Sequence, residues 1–258
     1  MLASRQSTEI ELPDSLAEGH TLNYKGITLF ACLPFSPKTV QRALDEIAIQ
    51  TPLMTGRNRI GMVAITIPKE STMYGADGMY FPSNGDNPSD VGLNSSLLPS
   101  AKRLSITAFH EGAHGVYASN SFRVQQRLRP LFDRAYKAYG KEAPDSLAWP
   151  ASSGKGALPT PLTILESLNY ERMDGIHFPI AIRVVNDAEL FAFGASTLRE
   201  YPHEFLAQMR RLNVESPKRY GESLDIAHEI VRAYGNHMSA IFQPALLKFL
   251  KENRPRKR

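Results

Sequence analysis

The 258-residue chain carries 42% hydrophobic and 22% charged residues and a formal net charge of +4. That balance describes a globular protein with a sizeable core and excludes a disordered chain, and the charge excess is too small to argue for nucleic acid. Cys32 is the one cysteine, which excludes an intrachain disulfide and a cysteine-built zinc site and favours a reducing working compartment.

Residues 1–22 are polar and punctuated and read as a flexible N-terminal arm, without the apolar core of a signal peptide. No run approaches the roughly 18 apolar residues that cross a membrane. The expectation is a soluble protein, cytoplasmic or exported without a Sec signal, with one domain over 23–250 and a basic tail at 251–258. Gly26–Pro34 reads as a strand stopped by proline, and Ser36-Pro37 as an N-cap followed by proline at the first helical position. Val40, Ala43, Leu44 and Ile47 recur at helical spacing through Thr39–Ile49. Arg59–Pro68 is β-branched and reads as a strand. Short strands follow at Gly78–Phe81 and Val91–Asn94, either side of a turn cluster at 83–89. With a long helical pattern next, the order is α+β.

That pattern, Leu104–Tyr117, contains His110-Glu111-Gly112-Ala113-His114, an HExxH motif. Positions four apart share a helix face, so His110 and His114 can present imidazole nitrogens to one ion. Two imidazoles suit Zn²⁺, and Glu111 can lie beside a water as general base. Ile106, His110, His114 and Tyr117 follow one stripe, and Phe109, Ala113 and Val116 follow the apolar stripe beside it that would bury the helix. Gly112 and Gly115 cost an isolated helix about 1 kcal/mol each relative to Ala, but in a core they permit close approach of neighbours.

Ser121–Tyr139 reads as a basic helix that Pro130 should kink or split. Residues 140–161 read as a long loop, and helical segments are expected at 162–172, 187–200, 202–214 and 219–250. A catalytic zinc needs a third protein ligand. A metzincin would place a third histidine six residues after His114, where Asn120 stands, and a thermolysin-like glutamate would fall where Asp133 and Arg134 sit. Both patterns are absent. Glu189, in the apolar helix that begins near Asn186, is the first candidate, because a carboxylate among Leu190, Phe191, Ala195 and Leu198 needs a compensating partner. Asn186 and Glu189 also have the spacing of a capping box, which would turn Glu189 back to the helix start. Glu166 is the second candidate, with Tyr170 one turn on as an oxyanion donor; Asp174 is in reserve.

The HExxH helix with its following glycine (His114-Gly115), the short strands before it, and Asn186-Asp-Ala-Glu189-Leu-Phe-Ala192 resemble the zincin catalytic domain of anthrax lethal factor and related bacterial toxin and effector proteases. The likeness covers about residues 35–215. It implies a zincin-like α+β fold, with a small mixed sheet, an active-site HExxH helix and a mostly helical C-terminal half. It implies a zinc metallopeptidase that cleaves a protein or peptide substrate, with His110, His114 and Glu189 as metal ligands and Glu111 as catalytic base. It also implies an effector or toxin working in a target-cell cytosol. Two departures stand out: Phe193 replaces the family's second glutamate, and Ile182 occupies the position of its oxyanion tyrosine, a role left to Tyr170, Tyr201 or another donor.

Two rival readings use the same residues. One is a housekeeping cytosolic peptidase; the other is a weak or inactive zincin scaffold that binds a partner. The arginines of 121–139 and the tail carry no nucleic-acid motif.

Overall fold

The computed structural model describes residues 12–66, 77–83, 85–139, 187–215 and 217–253. Its five-stranded sheet has the order β1-β2-β3-β5-β4. Strands β1 (Thr21–Tyr24) and β2 (Ile27–Ala31) form a hairpin. Its two-residue turn has positive φ at both Lys25 and Gly26, the twist that suits a tight hairpin. Helix α1 (Pro37–Ala48) carries the chain from β2 to its parallel neighbour β3 (Ile60–Thr66). Strand β4 (Gly78–Phe81) pairs antiparallel with β5 (Ser89–Asn94), which lies parallel to β3. The sheet is therefore mixed, with β4 on one edge.

Alternation along the strands gives the sheet one buried face. Leu29, Val63 and Val91 form one row across the register, and Ala31, Ile65 and Leu93 the next; all are buried. Helix α2 (Ala101–Ser119) packs against β4 and β5 and touches α1 along its length. It starts at Ser100, whose side chain accepts from the Arg103 N–H, and ends at Asn120. A Cβ at Gly112 would fall on the Gln50 side chain, so glycine there lets Gln50 reach the Phe109 carbonyl at 3.0 Å. Gln50 also donates to the Glu46 carbonyl and accepts from Tyr234 Oη at 3.1 Å, so its amide is fully satisfied in the core.

The described residues that follow are mostly helical: α3 (Ser121–Tyr139), α4 (Asp187–Glu200), α5 (Pro202–Glu215), α6 (Pro217–Ala233), the one-turn α7 (Met238–Ile241) and α8 (Pro244–Glu252). Among the described residues the fold is thus α+β, with a small mixed sheet and helices after it. Arg199 of α4 bonds to Glu46 of α1 at 2.7 Å and to the Ile241 carbonyl at 2.6 Å, tying α4 to both.

Four local readings change. The stretch expected as one helix at 219–250 is broken by a 3₁₀ turn at Gly235–His237 and restarted at Pro244, where proline suits a first turn. Pro130 does not divide α3, which is assigned as one helix. The hairpin strand β1 went unread because Thr21–Tyr24 is short and shares little alternation. Within the segment read as an arm, Leu12 and Leu16 are buried and Leu16 bridges Phe35. The expected loop at 140–161, the helix at 162–172 and the tail at 254–258 lie outside the described residues. Among the described residues no helix is long and apolar enough to cross a membrane.

Candidate metal centre

One turn of α2 builds the centre. His110 Nε2 and His114 Nε2 lie 3.2 Å apart, the consequence of i,i+4 spacing on one face. His110, Glu111 and His114 form a group that could hold a metal ion, with ligand atoms within 4.8 Å of one another. Glu189, in the first turn of α4, brings its carboxylate to both histidines: Oε2 is 3.4 Å from His110 Nε2 and Oε1 is 3.5 Å from His114 Nε2. Helices α2 and α4 pack together, which joins residues far apart in sequence.

The electrostatics separate the two imidazoles. Burial lowers His114 to about 4, assisted by the His110 charge and opposed by Glu189, so it is neutral at pH 7. Burial also lowers His110, but the Glu189 hydrogen bond and the charges of Glu111 and Glu189 outweigh it and leave His110 above its ordinary value. Burial raises Glu189, yet the histidines reverse this and hold it below the usual range. Glu189 is therefore an anion wedged against the two imidazoles.

Glu111 is buried, and burial raises its pKa to about 7, with Glu189 and Asp77 adding to the shift and His110 and the Tyr80 backbone bond opposing it. Edge strand β4 makes this pocket. A Cβ at Gly78 would lie 2.7 Å from Glu111 Oε1 and 2.6 Å from Thr107 Cγ2, so only glycine lets the strand lie this close. Two residues on, the Tyr80 backbone N–H donates to the Glu111 carboxylate. The Tyr80 ring stacks near the His114 ring, with centroids 6.1 Å apart. Ser89 Oγ donates to the Arg57 carbonyl at 2.9 Å, so at 2.8 Å Tyr80 Oη is the donor to Ser89, which holds the phenol away from other roles.

The remaining sequence candidates fall as follows. Phe193 packs its ring edge against His110, centroids 4.4 Å apart, and His110 Nδ1 has no hydrogen-bond partner among the described residues. Tyr201 follows the far end of α4, roughly 18 Å along the helix from Glu189 at 1.5 Å per residue, under the Lys102 ammonium. Distance removes it as an oxyanion donor. Glu166, Tyr170, Asp174, Ile182 and Asn186 lie outside the described residues. Sequence reading missed Tyr80 and Gly78, because only the β4–α2 packing puts them on Glu111. It also missed the partner of Tyr117, although that residue's stripe with His110 and His114 was visible.

No protein-family model, curated protein or solved structure matches the chain, so the chemistry of the site carries the functional reading.

Proposed function

We propose that the protein is a zinc-dependent metallopeptidase on a zincin-like scaffold, with His110, His114 and Glu189 holding the metal and Glu111 as general base. The observation that carries this reading is the approach of one carboxylate to both imidazoles: the two Nε2 atoms lie 3.2 Å apart, with Glu189 Oε2 3.4 Å from His110 and Oε1 3.5 Å from His114. Tetrahedral bonds of about 2.0–2.1 Å require ligand atoms roughly 3.3–3.4 Å apart, and two nitrogens with one carboxylate form a known catalytic donor set. Glu111 is the less suitable third ligand, because it projects about 100° around α2 from His110 and is the carboxylate left to act as base.

Bound zinc would polarise a peptide carbonyl and lower the pKa of a coordinated water to roughly 7. Glu111 takes the proton of the attacking water and returns it to the leaving amine. Strand β4 supports the substrate side of the reading. Among the described strands nothing pairs with its outer edge, so an extended peptide can add there by main-chain bonds. The resemblance to lethal-factor-type proteases favours an effector or toxin role over a housekeeping peptidase.

The test combines metal analysis with cleavage of a peptide library. The wild type should hold close to one zinc per chain, His110→Ala and Glu189→Ala should lose it, and Glu111→Gln should keep it while cleavage disappears. Cleavage by Glu111→Gln at the wild-type rate would sink the mechanism. A second reading, a metal-holding scaffold that binds a partner without hydrolysis, is favoured by Phe193 standing against His110. Full zinc with no cleavage of any library peptide would support it.

A further inference from the structure

The geometry points to Tyr117 as a positioning residue that sets the roll of α4 and so aims the Glu189 carboxylate at His110 and His114; this rests on the metal-centre reading above. Tyr117 is near the C-terminal end of α2, on the same stripe as both histidines and about one turn past His114. Its hydroxyl donates to Asp187 Oδ2 at 2.5 Å, and its ring lies 5.6 Å from that of Phe191, tilted by 50°. The bond joins the end of α2 to the first turn of α4.

Asp187 and Phe191 are four apart and lie on one flank of α4. Glu189, two residues from each, is rotated about 200° from Asp187 and faces the other way. On that opposite flank Glu189 meets the histidines, and Phe193, one turn on, packs against His110. Tyr117 therefore grips the side of α4 that bears no ligand. With side chains about 5–6 Å from the helix axis, a 20° roll would move a carboxylate by about 2 Å, as far as a whole ligand bond. Asp187 opens the helix, where a carboxylate also suits the N-terminal dipole, so the grip acts on the same turn that carries Glu189.

Zinc affinity of the full chain, measured by competition with a chromophoric chelator, tests this. Tyr117→Phe keeps the ring on Phe191 and removes the hydroxyl alone, and should weaken zinc about tenfold, the size expected of a lost outer-shell contact. Asp187→Ala should match it. Asp187→Asn, whose amide oxygen still accepts from the phenol, should stay within about threefold of the wild type. If Tyr117→Phe lowers the melting temperature of the metal-free chain but binds zinc within about threefold of the wild type, the residue is merely structural and the proposal fails. A readout without metal guards against misfolding: the imidazole ¹⁵N signals of His110 and His114 should shift in Tyr117→Phe in the same sense as in Glu189→Gln. Unchanged signals would overturn it too. A wild-type chain that takes no zinc sinks the metal reading itself, whereas zinc binding that is unaffected in Tyr117→Phe sinks the positioning role alone.

Discussion

Glu111 is where burial and chemistry meet in one side chain. Its pKa of about 7 lies above the ordinary 4.5, so the folded metal-free chain holds this proton more tightly than the unfolded chain does. The stability this contributes is complete below 4.5 and lost as pH rises through about 7. Glutamine at the position stays neutral and can still accept from the Tyr80 N–H. Metal-free Glu111→Gln should therefore melt with the wild type near pH 4.5 and above it at pH 8, by an amount on the order of 3 kcal/mol. Equal melting at both values would show that the carboxyl is better solvated than its surroundings indicate. Zinc beside the carboxylate favours the anion, so the acid limb of kcat/KM in the loaded protein should fall below 7, towards 4.5. A pH–rate profile in excess zinc checks that direction.

Two glycines set how closely α2 is approached, Gly78 by β4 and Gly112 by Gln50. At Gly78 any side chain meets Glu111 and Thr107, and the strand would have to lift from the helix. Gly78→Ala should cost about 1–3 kcal/mol by overpacking and should lower kcat more than it lowers zinc content, since it disturbs the base and not the ligands. Loss of zinc in parallel with kcat would place the damage in α2 instead. At Gly112 alanine improves helix propensity by about 1 kcal/mol, but its methyl lands on Gln50. The lost bonds of Gln50 to Phe109 and Tyr234 should make the net effect destabilising, measurable as a lower denaturant midpoint at unchanged slope.

Across the whole molecule, what could be read in the sequence was whatever is local. The helical spacing of Val40, Ala43, Leu44 and Ile47 announced α1, and the HExxH spacing announced a two-histidine face, because one turn of helix sets both. Tyr80 on His114, Gln50 on Phe109 and Tyr117 on Asp187 bridge separate elements, and no periodicity encodes such pairs. Arg199 and Glu46 are a charged example, 153 positions apart and well shielded from water. Arg199 also reaches the Ile241 carbonyl and lies over the Phe109 ring, 5.1 Å from its centroid, next to the residue that begins the motif. This ion pair anchors the C-terminal half of α4 behind the metal centre, while Tyr117 holds the first turn. Removing one partner strands a charge in the core, so Arg199→Met should cost about 3–5 kcal/mol. Glu46→Leu with Arg199→Met removes both charges and should recover most of that loss. If α4 is a rigid bar held at two ends, the double variant should regain stability and still bind zinc more weakly than the wild type, because the anchor behind Glu189 is gone. Thermal melts and zinc competition on the same three proteins decide it: full recovery of both stability and affinity would mean that apolar packing alone keeps α4 in register, and the ion pair is dispensable to the site.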